Sequence, residues 1–168
     1  MQMADPHEGM ISFQKALQAG ILDIGPVRNF HDLFSHIDES TLGTIRLTYV
    51  RLTQDCQSVL AFVSCVMNGQ IDGVLCVSVG YAVPKHLRNQ GFAKQLLNDV
   101  IKDQVFQAGQ MGNSYLFIEA AVDVANIESQ RVAEAVLNSP RESITDAASG
   151  RPAFRYTAKF DTSTGLKL

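Results

Sequence analysis

The chain has 168 residues, enough for one domain that buries roughly 70% of the surface its unfolded form exposes, so neither disulfides nor a structural metal is needed to hold it together. Hydrophobic residues make up 46% and charged residues 18%, which excludes the disordered and membrane-embedded classes. The formal net charge is −3 with no run of lysines and arginines, so the basic footprint of a dedicated nucleic-acid binder is missing.

The longest apolar stretch, Val59 to Met67, is interrupted by Ser64 and falls short of the roughly 20 residues that span a bilayer. No secretory signal precedes it. Cys56, Cys65 and Cys76 form neither a CxxC pair nor an even framework, the pattern of reduced thiols in a cytoplasmic protein, and Cys65 and Cys76 read as core filling.

Residues 1–9 are polar, carry Pro6 and Gly9 and precede Met10, so they read as a flexible leader or an expression remnant. The domain proper is expected over 10–160, with 161–168 as a C-terminal tail. Helical spacing over Ile11 to Ala19 and over Val27 to Ile37 (Phe30, Leu33, Phe34, Ile37) predicts two short helices, separated by Gly20 and Gly25-Pro26. From Thr44 the pattern turns β-branched and aromatic. Ile45 to Val50, Val59 to Val66 and Val74 to Val83 predict three strands in an antiparallel meander, punctuated by Asp55 and Asn68-Gly69. Gly80 inside the third strand signals a bulge or a close backbone approach.

Gly91 to Phe106 is the cleanest helix: apolar pairs Phe92-Ala93, Leu96-Leu97 and Val100-Ile101 alternate with polar pairs, and Gly109 and Gly112 end it. Tyr115 to Val122 reads as a buried strand. A further helix is predicted from about Asn126 to Leu137, capped by Asp123 or Asn126. Val132, Ala133, Val136 and Leu137 would face inward, and Glu128, Gln130, Arg131 and Glu134 outward. Pro140 closes it, a polar stretch follows, and Ala153 to Phe160 reads as the last strand.

The order strand, Arg88-Asn89-Gln90-Gly91-Phe92-Ala93, amphipathic helix suits a diphosphate. The first helical turn leaves N–H groups without intrahelical partners, and the macrodipole adds partial positive charge there. Gly91 lets phosphate approach the backbone, Ala93 keeps the next position small, and Arg88 adds charge. The same pattern also serves a plain tight turn with a solvated arginine. No Walker or dinucleotide fingerprint is present.

Tyr81-Ala82-Val83 followed by Arg88 to Ala93 resembles the acyl-CoA-binding signature of the GNAT superfamily of N-acetyltransferases: Arg or Gln, two residues, Gly, one residue, then Gly or Ala. Val83 stands where the family places a strand residue whose main chain pairs with the pantetheine arm. The family's usual proline falls one place after Pro84, at Lys85. Ile118-Glu119-Ala120 with Asn126, Ser129, Arg131-Val132 and Glu134 is similar to the strand-to-helix motif of the ribosomal-protein N-terminal acetyltransferase branch.

The resemblance covers about Leu75 to Leu137. It implies an α/β (α+β) fold with a mixed, mostly antiparallel sheet of about six strands and about four helices, splayed between the fourth and fifth family strands at Gly80. It further implies acetyl-CoA as acyl donor, held by Tyr81, Ala82, Val83, Arg88, Asn89, Gln90, Gly91, Phe92, Ala93, Lys94 and Asn126, with no metal. An amine-bearing acceptor, a small molecule or a peptide or protein with its N-terminus or a lysine, would attack directly.

Glu119 is the candidate base that removes the amine's proton; it would otherwise pair with Arg131, Arg155 or a backbone group. The family's tyrosine that protonates the leaving thiolate falls at Ala133, so Ser129 or Tyr156 stands in for it, and Tyr156 would otherwise be a packed aromatic. Asn126 either contacts pantetheine or caps its helix. Backbone N–H groups near Gly80 to Ala82 would face the oxyanion. His86 lies in the loop before Arg88, and His31 and His36 stand too far apart to share a helix face as zinc ligands.

A non-catalytic acyl-CoA-binding sensor or interaction module is the alternative, motivated by Ala133 and by Leu137-Asn138 in place of the family's Gly-Phe pair. The chain would act as a monomer or homodimer, without membrane or dedicated nucleic-acid partners.

Overall fold

The computed structural model describes residues 5–41, 43–147 and 149–168. Among them stand α1 (Pro6–Gln18), β1 (Gly25–Pro26), β2 (Leu33–Thr41), β3 (Thr44–Leu52), β4 (Val59–Ile71), β5 (Val74–Ala82), α2 (Phe92–Gln110), β6 (Tyr115–Asp123), α3 (Ile127–Leu137), β7 (Arg141–Thr145) and β8 (Pro152–Asp161). The mixed, mostly antiparallel α/β class is as expected, with eight strands and three helices among the described residues in place of about six and four.

The chain divides into two compact units, the first holding the described residues up to Val66 together with Gly80–Leu97, the second Met67–Val79 and Asn98–Leu168. In the first unit, α1 begins inside the segment read as a leader. Pro6 occupies the first turn, where its missing N–H is harmless, and Asp5 caps the helix by accepting from the His7 N–H at 2.9 Å. The helix buries Met10 and Phe13 against Val50, Leu52, Val59 and Phe62, with Phe13 and Phe62 edge to face at 6.0 Å. Each such side chain stabilises the unit by about 1.5–3 kcal/mol.

The helix expected over Val27 to Ile37 is corrected to strand. Leu33 is wholly buried but Ile37 is exposed, so the helical spacing marks no single buried stripe. Leu33–Thr41 instead pairs antiparallel with β3, and the opposed Asp38 and Arg46 form an ion pair, with Nε to Oδ1 at 2.9 Å. Cross-strand pairing of this kind outweighs a weak helical preference. β3 continues the meander against β4, from Arg46↔Val66 to Leu52↔Val59.

In the second unit, Asn68-Gly69 is not the turn its sequence suggested. β4 runs through both residues to Ile71, and the chain reverses at Asp72-Gly73, whose φ angles of 50° and 77° suit a two-residue hairpin. β6 is the axis of this unit. On one edge it pairs with β8 along its whole length, from Tyr115↔Asp161 to Asp123↔Ala153, while on the other it runs parallel to β5 over Cys76–Ser78 against Phe117–Glu119.

α3 packs on β6 and β8. Asn126 caps it by accepting from the Ser129 N–H at 3.1 Å, and Asn138 ends it in the left-handed region at φ 45°. Gln130, expected outside, is buried: its amide donates to the carbonyls of Asp123 (3.2 Å) and Val124 (2.9 Å), tying the helix to the end of β6. The polar stretch after Pro140 forms β7 on the edge of β8. Residues 161–168 turn back, with Lys167 bridged to Phe160.

Candidate functional site

The Tyr81–Ala93 segment that resembles an acyl-CoA-binding signature lies in the first unit. After β5 a 3-10 turn at Lys85–Leu87 forms, with the Leu87 N–H bonded to the Pro84 carbonyl at 2.9 Å, and Arg88 leaves it extended. Asn89 then takes φ 61° and Gly91 φ 83°, both left-handed, and α2 starts at Phe92. Glycine is needed here because an L side chain is strained at that angle. A Cβ built on Gly91 would meet nothing within 4 Å, so the space beside the first helical turn is open.

The Gln95 N–H makes the bond to the Gly91 carbonyl at 3.0 Å, so the N–H groups of Phe92, Ala93 and Lys94 precede that first helical bond. Arg88, Asn89, Gln90, Gly91 and Lys94 are exposed, Phe92 and Ala93 half-buried. Gln90 donates to the His86 carbonyl at 3.3 Å. Tyr81 and Val83 are buried and Ala82 half-buried. At Gly80 the close neighbours are side chains and not the backbone expected: a Cβ there would stand 3.0 Å from Pro6 Cγ and 3.3 Å from Ser64 Oγ.

The candidate acid–base residues lie in the second unit. Glu119 is only 8% exposed on β6. Neither Arg131 nor Arg155 pairs with it; Arg155 binds Glu142 at 2.8 Å instead. The carboxylate accepts from the Asn68 amide at 2.7 Å through Oε1 and from the Cys76 thiol at 3.9 Å through Oε2. Burial, and then the negative Glu119 beside it, pushes the Cys76 thiol up to about 12. Asn68, the donor to Glu119, was not anticipated from the sequence, because Asn-Gly reads so strongly as a turn.

Asn126 is a helix cap, and its side-chain oxygen is engaged by Ser129, which lies half-buried one turn on. Tyr156 is wholly buried, and its hydroxyl donates to Glu134 Oε1 at 3.1 Å; burial and that bond raise its pKa above the usual phenol value. Tyr156 opposes Ala120 across the β6–β8 ladder. Successive strand residues point to opposite faces, so Glu119 and Tyr156 face away from each other and cannot serve one proton relay. Ala133, at the family's tyrosine position, is wholly buried.

Among the described residues no group of three or more His, Cys, Asp or Glu is placed to hold a metal ion, and no helix is long and apolar enough to cross a membrane.

No protein-family model matches the chain, and no curated protein matches it. Similar solved structures are acetyltransferases, some of the GNAT family. The ribosomal-protein-S5-alanine acetyltransferase from Vibrio fischeri is 15% identical with a TM-score of 0.49, over 67% of this chain and 60% of that one. A spermidine N-acetyltransferase chimera from Vibrio cholerae is 13% identical with a TM-score of 0.48, over 72% and 69%. A GNAT-family acetyltransferase from Bacillus anthracis is 15% identical with a TM-score of 0.48, over 69% and 66%. The chain thus spans 60% of the length of the first of these.

Proposed function

We propose that this chain is an N-acetyltransferase that moves the acetyl group of acetyl-CoA to a primary amine on a small molecule, a peptide N-terminus or a lysine. The observation that carries the reading is Gly91: a left-handed glycine with open space on its Cβ side, at the start of a 19-residue helix. Such a turn offers N–H groups and a positive dipole end to a diphosphate without steric obstruction.

Arg88, Asn89, Gln90, Gly91, Phe92, Ala93 and Lys94 would hold the phosphates, and the main chain of Tyr81, Ala82 and Val83 the pantetheine arm. Acetyl-CoA supplies the activated acyl group. Asn126 keeps its amide N–H₂ for a pantetheine carbonyl, since only its oxygen serves the cap. Glu119 would take the proton from the acceptor's ammonium, freeing the amine lone pair to attack the thioester carbonyl. Two of its roughly four lone-pair positions are used by Asn68 and Cys76, which leaves acceptor capacity for that proton. Tyr156, bound to Glu134 and facing away from Glu119, is left out of this chemistry, and Ser129 remains the candidate donor to the leaving thiolate. The three free cysteines suit a reducing cytoplasm.

Calorimetric titration with CoA, followed by free-thiol release from acetyl-CoA with a polyamine, an alanine-initiated peptide and a lysine peptide, tests the reading. Saturable binding and turnover with one amine class are expected. No heat at millimolar CoA overturns it. The buried Ala133 and the engaged Tyr156 favour a second reading, a non-catalytic acyl-CoA-binding module, which predicts binding without turnover on any amine.

A further inference from the structure

Glu119 is a carboxylate more than nine-tenths buried, and the cation on the neighbouring strand, Arg155, hydrogen-bonds Glu142 and acts on Glu119 only through its charge. A buried carboxylate with no cation hydrogen-bonded to it is costly, and the hydrogen bonds it does accept make it tolerable. The strong one comes from Asn68, which is itself exposed. The Cys76 thiol, at 3.9 Å, is a weak donor to the other oxygen. The short bond from Asn68 is therefore the main hydrogen bond that orients Oε1 of Glu119. β4 has to run past Asn68-Gly69 to Ile71 for that bond to exist, since a turn at Asn-Gly would carry the amide away.

We infer that Asn68 is a positioning residue: its side-chain amide fixes the Glu119 carboxylate in the orientation from which it accepts the substrate's proton. The inference rests on the proposed role of Glu119 as the base. A misplaced general base loses catalysis steeply, about a hundredfold for a displacement near 1 Å. Asn68→Asp keeps the shape of the side chain, removes the donor and sets a second carboxylate on the first. Asn68→Ala removes the group altogether.

The experiment is a double-mutant cycle read as thiol release from acetyl-CoA, with the best amine of the panel above. Asn68→Ala and Asn68→Asp should each lower kcat by about tenfold or more while the KM for acetyl-CoA stays within about twofold. In the Glu119→Gln background, Asn68→Ala should have no further effect, because it acts through Glu119. An equal drop in that background overturns the inference, as does full activity of Asn68→Asp. Wild-type turnover by Glu119→Gln sinks the base assignment instead, which is a separate failure.

A second measurement needs no turnover. In protein carrying ¹³C-labelled glutamate, the carboxyl resonance missing from Glu119→Gln identifies Glu119, and that resonance must move in Asn68→Ala at fixed pH. An unmoved resonance overturns the positioning role whether or not an acceptor has been found.

Discussion

Substitution at Gly91 separates stability from binding, because the two respond with opposite sign. At φ 83° any L residue is strained, by about 1–2 kcal/mol, yet nothing lies within 4 Å of the added Cβ, so Gly91→Ala should lose about that much stability and no more. Gly91→Glu has the same backbone strain but sets a negative charge at the start of α2, which returns about 0.3–1 kcal/mol through the helix dipole. The glutamate variant should therefore be the more stable of the two.

For CoA the order reverses. Unit charges 4 Å apart repel by about 1 kcal/mol in water and about 4 kcal/mol at the screening typical of a protein surface. A diphosphate at this turn should therefore bind Gly91→Glu roughly fivefold to a thousandfold more weakly than Gly91→Ala. Urea denaturation measures the first comparison and calorimetric CoA titration the second, and raising the salt should shrink the gap in affinity. Equal affinity of the two variants for CoA would show that no phosphate sits at the start of α2.

Gly80→Ala should destabilise the chain by about 1–3 kcal/mol, because the new methyl meets the rigid Pro6 ring at 3.0 Å and Ser64 Oγ at 3.3 Å; an unchanged denaturation midpoint contradicts that packing. Asn126→Ala should lose about 1 kcal/mol with the cap, and Asn126→Ser should restore stability but not CoA affinity if the amide N–H₂ contacts pantetheine. The Cys76 thiol, near 12 in the folded chain, stays protonated where the unfolded thiol, near 9.0, ionises. The unfolded state then binds fewer protons, so stability falls between pH 9 and 12 by roughly 1 kcal/mol per pH unit, and denaturation series should show Cys76→Ala without that part of the slope.

The fold was legible where local pattern and tertiary demand agree. In α2 the apolar pairs predict the buried Leu96, Leu97, Val100 and Ile101, and β6 is as buried as its composition implies. Legibility failed where a local signal was overruled. Phe30, Leu33, Phe34 and Ile37 carry helical spacing, but β2 sets eight residues opposite β3 in a ladder, which a short marginal helix cannot match. Arg141–Thr145 has no alternation to read, because an edge strand with mostly exposed side chains shows its nature only through its partner.

The site divides along the same line. The Arg88–Ala93 turn was readable because its chemistry is backbone chemistry, and Gly91 needs its left-handed angle whatever surrounds it. Glu119 was readable only as an anomaly, a carboxylate in an apolar strand, since its partner lies 51 positions away in the chain. Neither arginine named from the sequence reaches it; an amide does, from a strand that outruns its apparent turn. The amide holds one carboxylate oxygen at 2.7 Å, while Arg155, bonded to Glu142, acts on Glu119 through its charge alone.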